Sequence, residues 1–433
     1  VGIFQVESRA QAQVLPRLQP RCFADLIVCI SLIRPGPIQG DMVHPYLRRR
    51  LGQEPVTYFH PLLEPALRET LGVILFQEQV LKVARDLAGF TAGEGELLRR
   101  ALGAKDHGRV VEGFREAFIR GAADNGVDAE TAELVFNKLR AFGGYSFPKS
   151  HAAAFAVLVY RSAWLKRYHP AAFFVALLNH QPMGFWTPAV LINDAKRRAI
   201  SVHGVDLHHS TWRCMVEGEA IRLGFNYVRE ITADQAEAIR SGQPFRGLSD
   251  LVHRARLPRR GLEHLIQAGA MDLCGWGGRR ELLWQLGLLR ELDALGLAVE
   301  AEAVSLPALS AAEFAEMEVA MTGLSTGPHP MAIYRQRLQR KAVLSSADLT
   351  ACPSGSQVRV AGLMVVHQTP PTAKGFHFLT LEDECGFINV IVRPLVYARY
   401  RQIIRAHPLL MVEGEVQWEG EVVNVVATCA MSL

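Results

Sequence analysis

The sequence is defined first by what it lacks. Its 433 residues contain no CxxC pair, no GxxxxGK[ST] phosphate loop, no GxGxxG, no HExxH and no DxD. Seven cysteines are scattered singly, an odd set that excludes a disulfide framework and a zinc ribbon and points to a reducing cytoplasm. No apolar run approaches the ~20 residues needed to cross a bilayer. The start, Val1-Gly2-Ile3-Phe4, has neither the basic nor the long apolar region of a signal peptide. Without an initiator Met, the chain reads as a piece of a longer protein. Without DxD it has no closely spaced carboxylates of the kind that hold two cations ~4 Å apart in nucleotidyl transfer. Lysine is scarce, 8 against 39 arginines. The planar Arg fork suits phosphate recognition, but an Arg- and Ala-rich genome gives the same composition.

What is present fits a cytoplasmic globular protein of several domains. Apolar residues make up 49%, charged residues 21%, and the formal net charge is +4. The charge is unevenly placed, +7 over residues 1–200 and −3 over 201–433. Between Glu133 and Asp194 lie 60 residues without one Asp or Glu, where the average composition gives roughly six. The stretch keeps Lys138, Arg140, Lys149, Arg161, Lys166 and Arg167, plus His151, His169 and His180. One-signed charge on a folded segment attracts anions. A buried helical segment that excludes all charge is the alternative, and the six retained basic residues weigh against it.

Apolar spacing predicts helices over 77–87, 93–102, 108–123, 129–140, 152–168 and 171–179. The run 71–76 (LGVILF) reads as a strand or a helix start. Residues 201–300 read as short helices (232–240, 247–255, 259–268) between turns, and 291–345 as a helical connector. From 357 the pattern turns to β. Strands are predicted over 358–366, 376–383, 387–394, 409–418 and 422–428, with a helix at 395–404 between the third and fourth. Five strands with a helix in that place form the OB pattern. The expected fold class is multi-domain and mainly α, followed by a C-terminal β-barrel of OB type.

Several positions carry chemistry. Lys149, Ser150 and His151 follow a Gly-rich loop at a helix start, where backbone amides and a cation favour an anion; an N-cap Ser with a surface Lys and His is the alternative. Arg99 and Arg100 are adjacent on a helix, so only one can point far from the core. Arg34 precedes prolines on a rigid turn. Lys166 and Arg167 could reach a DNA backbone or merely favour a helix C-terminus. The acidic pairs Glu94/Glu96, Glu217/Glu219 and Glu413/Glu415 read as solvated faces in helix or barrel settings, and Glu382-Asp383-Glu384 as a solvated turn.

Five separated segments together resemble the bacterial C-family DNA polymerases, the α subunits of the DNA polymerase III type. They are VGIFQVES (1–8), IRPGP (33–37), GVILFQEQ (72–79), LLRRALG (97–103) and GYSFPKSHAAA (144–154). Within that family, IQGDMVHPYLRRR (38–50) and NHQPMGFW (179–186) look like the error-prone, damage-tolerant branch. The resemblance implies a fingers region over 1–205, a tandem helix-hairpin-helix region over 206–290, a connector over 291–354 and an OB domain over 355–433. It implies nucleotide binding by Arg34, Arg99, Arg100, Lys149, Ser150 and His151. DNA binding would fall to Arg161, Lys166, Arg167, Arg259, Arg260 and Gly269, and in the OB domain to Arg359, Lys374, Phe378 and Arg393. Phe376, Phe387 and Trp418 are further stacking candidates, about half of these aromatics being core. The first hairpin, Glu230-Ile231-Thr232, lacks the usual Gly, whereas the second keeps Gly269.

The implied function is error-prone DNA synthesis in damage-induced mutagenesis and translesion synthesis, with template-primer DNA, dNTP and single-stranded DNA as partners. A sliding clamp and mutasome accessory proteins are further expected partners, although 429–433 lacks an obvious clamp-binding tail. Mg²⁺ would be held by a palm domain preceding Val1, so this chain alone is expected to be inactive, with no catalytic residue of its own. The alternatives are a fragment of the replicative α subunit and a non-catalytic protein that binds single-stranded or duplex DNA.

Overall fold

The computed structural model describes residues 1–33, 43–103, 108–143, 147–294, 304–370 and 373–433. Among these, the chain divides into one unit of Ile3–Ala163 and another of Val1–Gly2 with Trp164–Leu433. Arg34 and most of IRPGP, with the start of IQGDMVHPYLRRR, lie outside the described residues.

The first unit is helical: α1 (Arg9–Leu18), α2 (Phe23–Leu32), α3 (Val43–Arg50), α4 (Gln77–Ala88), α5 (Ala92–Gly103), α6 (Gly108–Asp124) and α7 (Ala129–Gly143). The helix α8 (Lys149–Tyr168) follows. The predicted periodicity of α4 is met, because Val80, Val83, Ala84 and Leu87 are all fully buried. They pack with Phe118, Phe136 and Phe142 in one core. Burying each such side chain contributes ~1.5–3 kcal/mol before entropy is charged. Helix α6 crosses α4 closely, since a Cβ at Gly121 would meet the Ala88 carbonyl.

The run 71–76 is neither a strand nor a helix. It enters through Leu71 at φ 54° and continues as a buried extended segment. Its amides are served by a side chain in place of a neighbouring strand. Gln79 Oε1 accepts from Leu75 N (2.8 Å) and Phe76 N (3.0 Å), while Gln79 Nε2 donates to Thr70 Oγ1 at 2.8 Å. Buried amides need a partner, and a single buried glutamine supplies it.

The second unit continues with α9 (Pro170–Asn179) and α10 (Pro188–Arg197). A small sheet comes next, β1 (Val202–His203), β2 (Met215–Glu217) and β3 (Ala220–Arg222), in the order β1-β3-β2. The sequence reading of short helices missed these strands, which are too short for alternation to register. Glu217 therefore sits in a hairpin, bound to His203 Nδ1 (2.6 Å) and Arg222 (2.7 Å), and not on a free face. The helices α11 (Ala233–Gly242), α12 (Leu248–Ala255), α13 (Arg259–Gln267) and α14 (Arg279–Ala294) follow, then α15 (Ala311–Thr322) and α16 (Pro330–Gln339).

The barrel comprises β5 (Gln357–Gln368), β6 (His377–Glu382), β7 (Phe387–Val392), α17 (Pro394–Ala406), β8 (Leu409–Glu419) and β9 (Val422–Ser432). A short β4 (Val343–Leu344) pairs in parallel with β5. The order is β5-β6-β7-β9-β8, and β8 pairs back onto β5 to close it. All five strands and the helix between the third and fourth agree with the predicted OB pattern. Leu379, Leu381, Val390, Val412 and Val425 line its interior with no exposure. At the β8 bulge Gly414 lets the strands close, since a Cβ there would meet the Val426 carbonyl.

The β6–β7 turn corrects one expectation. Glu382 and Asp383 are completely buried, not solvated. Glu382 Oε1 accepts from Arg197 Nη1 at 2.8 Å, and Oε2 accepts from Asn193 Nδ2 at 3.0 Å. The imidazole Nε2 of His329 stands 3.7 Å from the same carboxylate. Asp383 organises the turn, accepting from Ser346 Oγ (2.6 Å), Cys385 N (2.9 Å) and Gly386 N (2.8 Å). Glu384 pairs with Arg335. A charge taken out of water is tolerated only when paired and hydrogen-bonded, and this one joins α10 and α16 to the barrel.

Glu382→Ala should leave Arg197 buried without its partner, at a cost of ~3–5 kcal/mol. Thermal unfolding should show a clearly lower melting temperature; an unchanged melt would show that the pair does not hold the barrel in place.

Candidate nucleotide and nucleic-acid interface

The start of α8 lies against α4 and α5. Gln77 N donates to Phe147 O at 3.0 Å, and Arg99 Nη1 donates to Gln77 Oε1 at 3.4 Å. Arg99 and Lys149 thus meet at the N-terminus of α4 through Gln77 and Glu78, and Arg100 shares Glu96 with Arg99. Arg100 is the outward member of the Arg pair, its side chain 70% exposed against 25% for Arg99. Ser150 is exposed inside the helix, not at its cap, because α8 begins at Lys149. The His151 ring is seated between Phe147 (5.0 Å, edge-on) and Phe155 (4.4 Å).

What composition could not show is where the acids are. Within the 60-residue acid-free stretch, Lys149 is met by carboxylates from earlier in the chain and Lys166 by Asp194 beyond its end. Lys149 Nζ pairs with Glu69. Its backbone N–H donates to both oxygens of Glu78 at 3.0 Å each. The helix start therefore already has its anion, supplied by a side chain. Glu96 accepts from Arg99 (2.7 Å) and Arg100 (2.9 Å). Hydrogen bonds from Arg99 and then Arg100 hold the Glu96 carboxyl down to about 2.

Other candidates fall into three settings. Arg161 and Arg167 are exposed and have no acid partner among the described residues. Lys166 is a correction: it is 6% exposed, bonded to Asp194 Oδ2 at 2.6 Å, and unable to reach a DNA backbone. Its ammonium replaces lost hydration with a carboxylate, a structural role. In the hairpins, Glu230 adopts φ 60° at the turn where a glycine is usual, and its carboxylate takes Arg260 at 3.0 Å. Arg259 pairs with Glu263 at 2.6 Å. Gly269 has φ 85°, but its amide donates to Ile266 O at 3.0 Å, and the space beside it is filled by the Arg279–Asp272 pair.

On the barrel, Lys374 and Arg393 are exposed at one end, where Gly375 adjoins Pro394. Phe378 shares the outer face of β6 and β7 with Ile391, opposite in register. Near the turn this same face is covered: Phe387 stacks on Trp186 at 5.3 Å, and the Arg197 guanidinium lies 5.0 Å from its ring centre. Phe387 is therefore not a free platform. Trp418 is also committed, since its indole N–H donates to Cys352 O at 2.8 Å and its ring packs on the barrel core. Arg359, at the far end of β5, pairs with Glu413 at 2.6 Å. An aromatic group missed from sequence sits near Lys374. His377 stacks on Tyr397 at 3.3 Å and its Nδ1 is 2.9 Å from His367 Nε2. Burial pushes both imidazoles below their ordinary range, with Arg405 assisting at His367 and His367 at His377. The sequence placed His377 on a strand and Tyr397 on a helix but gave no signal that they and His367 would touch.

No group of three or more His, Cys, Asp or Glu that could hold a metal ion occurs among the described residues. No described helix is long and apolar enough to cross a membrane.

Residues 1–126 match the finger domain of the bacterial DNA polymerase III alpha subunit, and residues 199–282 match a helix-hairpin-helix motif. The chain is 46% identical over 444 residues to a protein named error-prone DNA polymerase from Anaeromyxobacter sp. (strain K), covering 98% of this chain and 39% of that one. Similarity to proteins of the same name is 45% in Pseudomonas aeruginosa, over 99% of this chain and 42% of the relative. In Corynebacterium glutamicum it is 45%, over 99% and 41%. The chain thus spans about two fifths of the length of the curated relatives it matches. Among solved structures, an asparaginyl-tRNA synthetase from Pyrococcus horikoshii aligns at 17% identity and TM-score 0.19 over 21% of this chain and 22% of that one, too slight to bear on function.

Glu96 should titrate at about 2, against 4.5 for a free side chain. A depressed carboxyl contributes stability above its unfolded value that is lost as pH falls through the folded one, here between about 4.5 and 2. Carbon-13 carboxyl titration should show Arg99→Gln moving Glu96 upward; no movement would mean that the Arg99 pair is not formed in solution.

Proposed function

We propose that this chain, which belongs to the bacterial C-family DNA polymerases and within them to the error-prone branch, positions incoming nucleotide and template-primer DNA for a longer polymerase acting in damage-induced mutagenesis and translesion synthesis. The observation that carries the reading is the meeting of Arg99 and Lys149 at one helix start, with Arg100 sharing Glu96 with Arg99. Arg99, Arg100 and Lys149 are each held there by an acid that a triphosphate can replace. Exposed ion pairs of this kind are worth only ~0–1 kcal/mol, so exchanging Glu96 and Glu69 for phosphate oxygens costs little. Arg99 and Arg100 present forks for bidentate contact, and Lys149 adds a mobile point charge.

In this reading the primer 3′-hydroxyl loses its proton and attacks the α-phosphate in line, and the α–β phosphoanhydride bond breaks to release pyrophosphate. The charge developing on the phosphates is met by guanidinium and ammonium groups already fixed in place. Mg²⁺ would neutralise the attacking and leaving oxygens, held by a palm domain of the longer protein and not by this chain. The hairpin region and the barrel would hold duplex and single-stranded DNA, with Arg161, Arg167, Lys374 and Arg393 as backbone contacts. Clamp and accessory proteins would act on the longer protein.

In the intact gene product, Lys149→Ala should reduce primer-extension kcat/KM for dNTP about tenfold or more, the loss of one charge-assisted hydrogen bond at ~1.5–3 kcal/mol. Wild-type kinetics in this variant would remove Lys149 from the site, and an intact gene product unable to extend a primer would remove the enzymatic reading. Binding of single-stranded DNA to the 433-residue chain should weaken as salt rises. A salt-independent affinity would exclude a phosphate-tracking surface.

A further inference from the structure

In the first unit, the end of α1, the start of α2 and the end of α3 enclose a cavity of about 330 Å³ lined by Arg17, Arg21, Arg50 and Asp25. Its single acid is already committed. Asp25 Oδ2 accepts from Arg21 N at 2.8 Å, from Cys22 N at 3.3 Å and from Arg50 Nη2 at 2.6 Å. Burial raises the Asp25 carboxyl, but these donors outweigh it and leave it below the ordinary carboxylate range. The carboxylate thus fixes the Arg50 guanidinium in the cavity wall and leaves its remaining N–H groups to other acceptors. Arg17 and Arg21 have no acid partner among the described residues.

Many arginines of this unit are instead matched to acids. Arg48 and Arg49 share Glu54, Arg99 and Arg100 share Glu96, and Arg115 is held by Glu112 and Glu133. Arg120, Arg140 and Arg161 are exposed and have no acid partner among the described residues, but no described cavity collects them with other cations. Three arginines lining one concavity with one engaged carboxylate leave, among the described residues, an excess of two positive charges. Mutual repulsion makes that arrangement costly when empty and favourable around an anion. The volume lies at the lower end of small-ligand pockets.

We propose that this cavity is a second phosphate site, in which Arg17, Arg21 and Arg50 bind one phosphate group. The group comes either from a free polyphosphate or from a nucleic-acid backbone. The site shares no residue with the cluster at Lys149.

Phenylglyoxal modification of the 433-residue chain, mapped by mass spectrometry, tests it at the residues themselves. Inorganic pyrophosphate and a short DNA duplex serve as separate protectants, and Arg68, on an exposed pair with Glu64, as the internal reference. At ten times the dissociation constant, modification of Arg17 and Arg21 should slow about tenfold while Arg68 is unchanged. Protection by pyrophosphate alone assigns a free polyphosphate, and protection by the duplex assigns the backbone. Arg21→Ala should weaken the protecting ligand's hold on Arg17 about tenfold. Equal modification rates with and without both protectants would overturn the proposal. Because Lys149 is read separately by kinetics, that failure is distinguishable from failure of the polymerase reading.

Discussion

The second unit depends on a carboxylate with no access to water. Glu382 closes the outer face of the barrel turn, and Arg197, Asn193 and His329 come to it from two helices. Apolar packing could press these elements together without fixing their rotation. A buried charge fixes it, because each hydrogen bond has a direction and an unpaired charge in that place is costly. Lys196, one residue before Arg197, extends the joint by donating to Ser325 O (2.5 Å) and Gly327 O (2.6 Å). Burial pushes its ammonium down to about 8, despite Glu318 and Glu382 nearby. Phe387 stacked on Trp186 excludes water from the same region. Lys374 and Arg393 stand exposed at the other end of the barrel, away from this joint.

Electrostatics in the first unit is decided by pairing, not by composition. Most of its arginines are matched to acids on the same or neighbouring helices, and the stretch without acids is balanced by Glu69 and Glu78. What distinguishes a candidate binding residue is therefore not its charge but how cheaply its present partner can be exchanged. Lys149 and Arg100 hold partners at the surface. Lys166 holds its partner in the interior, where exchange would strand Asp194.

The elements legible in the sequence are those whose signal is local. The barrel strands alternate, α4 repeats its apolar face, and the separated motifs brought Arg99 and Lys149 to one site. Two of the failures involve distance along the chain. Glu382-Asp383-Glu384 reads as a turn with three charges, and turns are usually wet; its burial depends on Arg197, 185 residues earlier. Lys166 looks like any surface lysine until Asp194, 28 residues on, folds against it. The run 71–76 reads as a strand or a helix start because it is apolar, whereas its amides are capped by one glutamine, and β1 to β3 are too short to show a period. Phe387 and Trp418 were sound as aromatics, but alternation does not reveal which faces another element covers.

The barrel order carries a consequence for biosynthesis. Strand β9 lies between β7 and β8, pairing in parallel with one and antiparallel with the other, yet it is the fifth barrel strand to be made. Until it emerges from the ribosome, β7 and β8 each present an unpaired edge, and β8 can be held only by β5. Edges of that kind template pairing with other chains. The barrel is thus most vulnerable to aggregation in the interval before β9 takes its place between β7 and β8.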